Sequence, residues 1–404
     1  MSFVLPFTHL ADVEVFSVED TSAQITWHHL PDGELGAIVH HHDGPRAVVL
    51  GDAGRPGAAD ITGLLSGAST VVDITVDQRP VAQRLITTEP RLDTPKLTKI
   101  ATISDLHLGE TRFGVIRKFR ESTDRQPYAL RCAIAAAREA QAWGAELLVI
   151  KGDITDLGYA HEWELFDQLL AETDIPVLAV PGNHDTVGKS NSLDATEQLQ
   201  ARGLFPSPVH HVDVDGARIV LADSTVPTHS YGRLNRWRDE LVAAVAVDRP
   251  AMVFTHHHLE DRAYPWFWPL GIQRFDNAGL VKALSTANPD LVISSGHTHR
   301  NRVRHEGSAV ISEVSATKDY PGVWAGYVLH ENGVRQAVRR IAEPSCVSWN
   351  DRTHAVVAGI WGAWSPGRIS DRAFTHTWSV DRRTEPVGEP RRQSASLSGA
   401  SDSV

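Results

Sequence analysis

Residues 147–185 read LLVIKGDITDLGYAHEWELFDQLLAETDIPVLAVPGNHD. Leu147–Lys151 is a short run, apolar until its last residue and closed by Gly152, which predicts a strand buried on both faces. His161–Glu172 has the length and spacing of an amphipathic helix. Pro176–Val180 is a second buried strand, and it ends on Gly182-Asn183-His184-Asp185. Strand, polar loop, helix, strand, polar loop is the grammar of a layered α/β domain.

The same alternation extends outward. Upstream, Leu97–Ser104 reads as a strand, and Tyr128–Trp143 as a helix that Gly144 stops. Downstream, helices over Leu234–Val245 and Asn277–Thr286 precede strands at Ala251–Thr255 and Leu291–Ser294. From Gly307 strands return, with a hairpin signal, His330-Glu331-Asn332-Gly333, between Trp324–Leu329 and Val334–Ile341.

Residues 1–95 carry period-2 runs such as AQITWHH, LGAIVHH and RAVVLGD, broken by PDG, DGP and GRPG. That pattern predicts a small all-β sandwich of about seven short strands, closed by the linker Glu89–Pro95. Trp27, Leu64 and Leu85-Ile86-Thr87-Thr88 resemble a fibronectin type III module. The expected organisation is therefore a sandwich over 1–95, an α/β domain over 96–341, a Trp-rich extension over 342–384 and a disordered tail over 385–404. Trp349, Trp361, Trp364 and Trp378 in the extension are expected to pack on the α/β domain and cover one sheet edge.

Composition narrows the function. The 404 residues hold 39 Lys+Arg against 50 Asp+Glu, a formal charge of −11, which disfavours binding to duplex nucleic acid. Two cysteines, Cys132 and Cys346, exclude a disulfide scaffold and a thiolate-built zinc site, leaving one bridge open. No run of eighteen apolar residues and no basic-then-apolar leader is present, so a cytoplasmic protein without membrane association is expected. The unusual count is 21 histidines.

Five polar segments stand at the C-terminal ends of predicted strands. They are Asp105-Leu106-His107, Gly152-Asp153, Gly182-Asn183-His184-Asp185, Thr255-His256-His257-His258 and Gly296-His297-Thr298-His299. Loops beyond strand C-termini are where open α/β sheets collect ligands, so the five are expected to converge. They offer oxygen and imidazole donors and no thiolate, a set suited to borderline-hard divalent metals. The first and third residues of Asp-x-His and His-x-His triplets would share one side of an extended backbone. Seven donors suffice for two ions if one group is shared.

This ordered set resembles the calcineurin-like metallophosphoesterase superfamily, over roughly residues 97–340. The resemblance implies a four-layer α/β/β/α sandwich with a dinuclear centre of divalent or mixed-valence Mn, Fe or Zn. One metal would be held by Asp105, His107, Asp153 and His299, the other by Asp153, Asn183, His256 and His297. It further implies in-line attack on phosphorus by a bridging hydroxide, with His184 as general acid and Asp185 orienting it. The purple acid phosphatases of this superfamily, which also carry a fibronectin-like domain, follow the bridging Asp with a tyrosine three residues on. Asp156 stands there in this chain, so no tyrosinate–iron site is expected. Gly152-Asp153-Ile154-Thr155-Asp156 and Thr255-His256-His257 are instead similar to the class III cyclic-nucleotide phosphodiesterase branch. The expected partner is a small phosphoester, a nucleotide among the candidates, and an oligomer is allowed. The competing reading is a non-catalytic scaffold on the same fold, which the survival of all seven ligands and His184 disfavours.

Other features carry two readings each. His257 and His258 neighbour a ligand without being assigned as one, and His40–His42 read as an exposed turn before Asp43-Gly44. The aromatic loop Tyr264–Pro269 is either a stacking lid or surface packing. Arg112, Arg117, Arg300, Arg302 and Arg304 are either phosphate clamps or solvated side chains.

Overall fold

The computed structural model describes residues 13–114, 118–121, 126–261 and 269–379. The expected tail and most of the aromatic loop lie outside the described residues.

The N-terminal region is all β. In chain order its strands are β1 Val13–Val18, β2 Ser22–Trp27, β3 Glu34–His41, β4 Gly44–Asp52, β5 Gly57–Thr62, β6 Ser69–Val76 and β7 Arg79–Thr87. They form two antiparallel sheets, β1-β2-β5 and β4-β3-β6-β7. Alternate residues, among them Ile25, Leu35, Ile61, Val72 and Ile74, are fully buried between them.

Two six-stranded sheets follow. The first has the order β10-β9-β8-β17-β18-β19, from β8 Lys96–Ile103, β9 Leu147–Lys151, β10 Val177–Val180, β17 Val323–His330, β18 Gly333–Arg340 and β19 Ala373–Thr377. The second has the order β11-β12-β13-β14-β16-β15, from β11 Val209–Val214, β12 Ala217–Ala222, β13 Ala251–Thr255, β14 Leu291–Ser295, β15 Arg302–Glu306 and β16 Ala309–Glu313. The sheets stack face to face, with Ile150, Leu221, Phe254, Val292 and Tyr327 in one shared core. Helices α1 Tyr128–Trp143 and α2 Ala160–Ala171 lie against the first sheet, where the alanine face of α1 is buried. Beyond the short α3 Ala195–Ala201, helices α4 Arg238–Val245 and α5 Arg274–Ala287 cover the second through Leu241, Val245, Leu280 and Leu284. The result is the four-layer α/β/β/α sandwich preceded by an all-β region.

Local signals held where one residue dictates the backbone. Gly144 adopts φ 92° and returns its N–H to the carbonyls of Ala140 and Gln141, ending α1. His330 pairs with Gly333, so Glu331-Asn332 forms the two-residue hairpin turn. The helix expected from Leu234 is shorter: a 3₁₀ turn over Asn235–Trp237 precedes α4. The hairpin β11–β12 around Asp215-Gly216 escaped the sequence reading, although Asp-Gly between apolar runs is a hairpin signal.

The Trp-rich region is built into the first sheet. After α6 Pro344–Thr353, α7 Ile360–Trp364 and α8 Ile369–Arg372, strand β19 pairs antiparallel with β18 and occupies its edge. Trp349 stacks on Tyr128 at 3.9 Å and donates its Nε1–H to the Lys318 carbonyl at 2.7 Å. Cys132 and Cys346 are buried free thiols, so the bridge left open by their number is not made.

The β sandwich docks on β18. Arg335 meets Asp20 at 2.8 Å, Arg339 meets Asp60 at 2.5 Å and also Glu19, and Arg340 exchanges backbone hydrogen bonds with the Gln24 amide. Buried guanidinium groups are tolerated because each finds a carboxylate. Among the described residues, no helix is long and apolar enough to cross a membrane.

Candidate metal centre

All five motif loops leave the C-terminal ends of parallel strands: β8, β9 and β10 in the first sheet, β13 and β14 in the second. Their side chains meet. His256 Nε2 lies 3.1 Å from Asn183 Oδ1, 3.1 Å from His297 Nδ1 and 3.3 Å from Asp153 Oδ1. The other Asp153 oxygen, Oδ2, is 3.5 Å from His107 Nε2, and His299 Nε2 is 3.5 Å from Asp105 Oδ1. Asp153 thus stands between an Asp105–His107–His299 group and an Asn183–His256–His297 group.

The backbone that achieves this is not the extended one expected for the triplets. Asp105, His107, Asp153, His297 and His299 all have left-handed φ, between 46° and 70°. Non-glycine residues reach that region at a cost, and its concentration here marks a backbone held in place by its surroundings. The neighbouring glycines are sterically required. A Cβ on Gly182 would sit 2.2 Å from the Asp153 amide nitrogen, and one on Gly152 2.7 Å from His256 Nδ1.

Hydrogen bonds on the far side of each ring decide which nitrogen faces inward. His256 Nδ1–H donates to the Lys151 carbonyl at 2.8 Å, His297 Nε2–H to the Leu270 carbonyl at 3.0 Å, and His299 Nδ1–H to Asp319 Oδ2 at 2.7 Å. Each inward nitrogen can then present a lone pair to a cation, and around His256 Nε2 the neighbours are all acceptor atoms, on Asn183, Asp153 and His297. Four acceptors at these distances repel one another unless a positive charge lies among them. Electrostatics agree. Burial opposes charge on His256, yet the Asp153 carboxylate overrides it and lifts the imidazole to about 9, so in the metal-free site a proton on His256 supplies the positive charge that a bound cation would replace. Burial also opposes ionisation of Asp153, but His256, His184 and His107 hold its carboxyl well below the usual carboxylate range. Burial drives His297 far down and His107 to about 3, leaving neutral rings with free lone pairs. Both nitrogens of His107 are buried without a hydrogen bond. The donor set fits divalent cations.

A family model for calcineurin-like phosphoesterases matches residues 98–301, just over half of the chain. The chain belongs to the calcineurin-like phosphoesterase family. A probable cyclic nucleotide phosphodiesterase of Rhodococcus erythropolis is 29% identical over 188 residues, 43% of this chain and 57% of that protein. A glycerophosphodiester phosphodiesterase of Enterobacter lignolyticus is 29% identical over 184 residues, 43% of this chain and 62% of that protein. The chain thus spans less than two thirds of either curated relative. A dimetal phosphatase from Danio rerio superposes with a TM-score of 0.46 at 14% identity, covering 70% of this chain and 100% of that one.

Around this centre one expectation changes. Asp185 does not orient His184. Its carboxylate turns inward and accepts from the Ile154, Thr155 and Gly182 amides and the Thr155 hydroxyl at 2.7–3.2 Å, tying the two metal-motif loops together. The partner of His184 Nδ1 is the Asp156 carbonyl at 3.0 Å, with an Asp156 carboxylate oxygen 3.5 Å away. The physical reason is that four nearby donors outbid one imidazole for a buried carboxylate.

Asp319 was missed, because it lies outside every strand-end motif. Its carboxylate accepts from His299 and from Trp361 Nε1–H, and it sits 3.4 Å from buried Lys318, which Glu110 pairs at 2.7 Å. Only its place in the fold reveals it.

Above the centre lies a cavity of about 630 Å³, lined among others by His107, Asp153, Asn183, His184, His297 and His299. Arg112 and Pro269 also line it. Arg300, Arg302 and Arg304 do not, and instead pair with Glu313, Asp261 and Glu306. Arg117 and Tyr264–Trp268 lie outside the described residues. His257 is buried against the Ser224 hydroxyl at 2.8 Å; His40 and His41 end β3 rather than forming a turn, with His40 Nε2 2.7 Å from Asp73 Oδ2, and only His42 lies in the exposed turn.

Proposed function

We propose that the chain is a dinuclear metal-dependent hydrolase of small phosphodiesters. One cation would be held by Asp105, His107, Asp153 and His299, and a second by Asp153, Asn183, His256 and His297. When bound, such cations neutralise phosphoryl charge and acidify water. The single observation that carries this reading is the convergence of Asn183 Oδ1, His297 Nδ1 and Asp153 Oδ1 within 3.3 Å of His256 Nε2, with Asp153 presenting its second oxygen to the other group.

The chain's own residues supply the rest. Asp185 locks the Asp153 loop against the Asn183 loop, so the shared carboxylate keeps its orientation. His184 lines the cavity with Nδ1 engaged by the Asp156 carbonyl, which leaves Nε2 to deliver a proton to the departing alkoxide. Diesters are favoured because the two relatives described carry phosphodiesterase names, and a cyclic nucleotide is one member of that class. Two free buried thiols accord with a reducing cytoplasm.

The test is metal analysis of protein reconstituted with Mn, Fe or Zn, followed by assays with 2′,3′- and 3′,5′-cyclic nucleotides, bis-aryl diesters, monoesters and pyrophosphates. About two equivalents of metal and turnover of diesters ahead of monoesters are expected. Retention of no metal, or two metals without turnover of any ester, would return the chain to the scaffold reading.

A further inference from the structure

One wall of the cavity comes from none of the strand-end motifs. It is built by Phe113 from the loop after β8, by Val356 and Val357 from the segment between α6 and α7, and by Trp361 of α7. The Trp361 ring packs 5.7 Å from Phe113 and 5.7 Å from His299, and its Nε1–H is tied to Asp319 Oδ1 at 3.1 Å. Its place is therefore fixed relative to the centre.

Two features set this wall apart from ordinary core. Val357 is 38% exposed, an apolar side chain left open at the cavity. Val357 and Ala358 also hold left-handed φ of 51° and 52°. A β-branched residue is a poor occupant of that region, and strain kept at a cavity rim is a pointer to function.

Geometry also says which part of a substrate meets the wall. Rings of His184, His107, His299 and Trp361 form a row with successive separations of 4.3, 5.4 and 5.7 Å. The proton donor stands at one end and the tryptophan at the other. With the leaving alkoxide at His184, a retained ester group that extends along these rings meets Trp361.

We infer that Phe113, Val356, Val357 and Trp361 form the specificity wall of the site, and that it selects phosphodiesters whose retained ester group is apolar and aryl-sized. This rests on the phosphodiesterase reading above. A hydroxylated ester group set against this wall loses water without gaining a partner, whereas an aryl group buries apolar surface on it.

Binding and turnover separate the two claims. In the manganese-loaded full chain, phenylphosphonate is expected to bind about tenfold more tightly than methylphosphonate by calorimetry. Likewise, p-nitrophenyl phenyl phosphate should exceed p-nitrophenyl methyl phosphate about tenfold in kcat/KM, chiefly through KM, since the leaving group is shared. Trp361→Ala should reduce both ratios to about one. Val357→Asn, which suits the left-handed backbone while making the rim polar, should lower them. Trp361→Phe should keep most of the preference although it loses the bond to Asp319, which separates the wall from positioning of His299. Equal binding of the two phosphonates, or ratios unmoved in Trp361→Ala and Val357→Asn, overturns the wall. A tenfold binding preference without turnover of either diester supports the wall and overturns the hydrolase reading alone.

Discussion

At the scale of single residues, the centre depends on which nitrogen of each histidine is tethered behind it. His299 is held by Asp319, a carboxylate that fixes the tautomer and strengthens the inward lone pair. Asp319→Asn keeps an acceptor but removes the charge, so metal affinity or activity should fall about 10- to 100-fold. Titration of the metal-free variant with Mn2+ reads this directly, and an unchanged affinity would remove Asp319 from the site. Asp153→Ala deletes the carboxylate common to both groups and should abolish stoichiometric metal binding, measured by elemental analysis. His184→Ala should slow alkyl diesters far more than aryl diesters, whose leaving groups barely need a proton. Equal losses on both would count against His184 as the acid.

Among the elements, α6 connects the Trp-rich region to the centre. Trp349 sits between the Tyr128 ring of α1 and the carbonyl of Lys318, whose ammonium pairs Glu110 and faces Asp319. Trp349→Ala should lower unfolding stability by about 3–5 kcal/mol in urea melts, the usual range for a buried tryptophan truncated to alanine. Trp349→Phe should recover much of the packing without the hydrogen bond. A loss below about 1 kcal/mol would mean that α6 is an appendage after all. The pairing of β19 with β18 argues the opposite: the first sheet is completed only when the chain returns at Ala373.

For the whole molecule, Glu139 is the meeting point. From α1 it accepts Trp324 Nε1–H of β17 and the Ala342 and Glu343 amides that lead into α6. Burial raises its carboxyl to about 7 despite those three donors, with Asp60 of the β sandwich adding to the rise. The sign follows from proton counting. Between the ordinary carboxylate value and about 7, the folded chain binds a proton there that the unfolded chain does not, so this contribution is full below that window and lost as pH rises through it. At about 1.4 kcal/mol per pH unit the effect is about 3 kcal/mol at most. Glu139→Gln should flatten the fall in Tm between pH 5 and pH 8 relative to the wild type. Parallel Tm profiles for the two proteins would show that Glu139 does not titrate in that window.

What residues 147–185 and their flanks determine alone is local: apolar runs of strand length, an alanine-faced helix ended by Gly144, and polar groups stationed where strands stop. Parallel pairing then obliges those stations to share one end of a sheet, so the seven metal-binding candidates were legible before any coordinates. Other features belong to tertiary structure because they depend on residues far apart in the chain. That Asp156 holds His184 follows from the pairing of β9 with β10, and that Asp319 rather than Asp185 steadies a histidine and Trp361 reaches the cavity follows from how the chain beyond β16 returns against the first sheet. A hydrogen bond goes to the acceptor that packing brings within reach, and spacing along the chain carries no record of that.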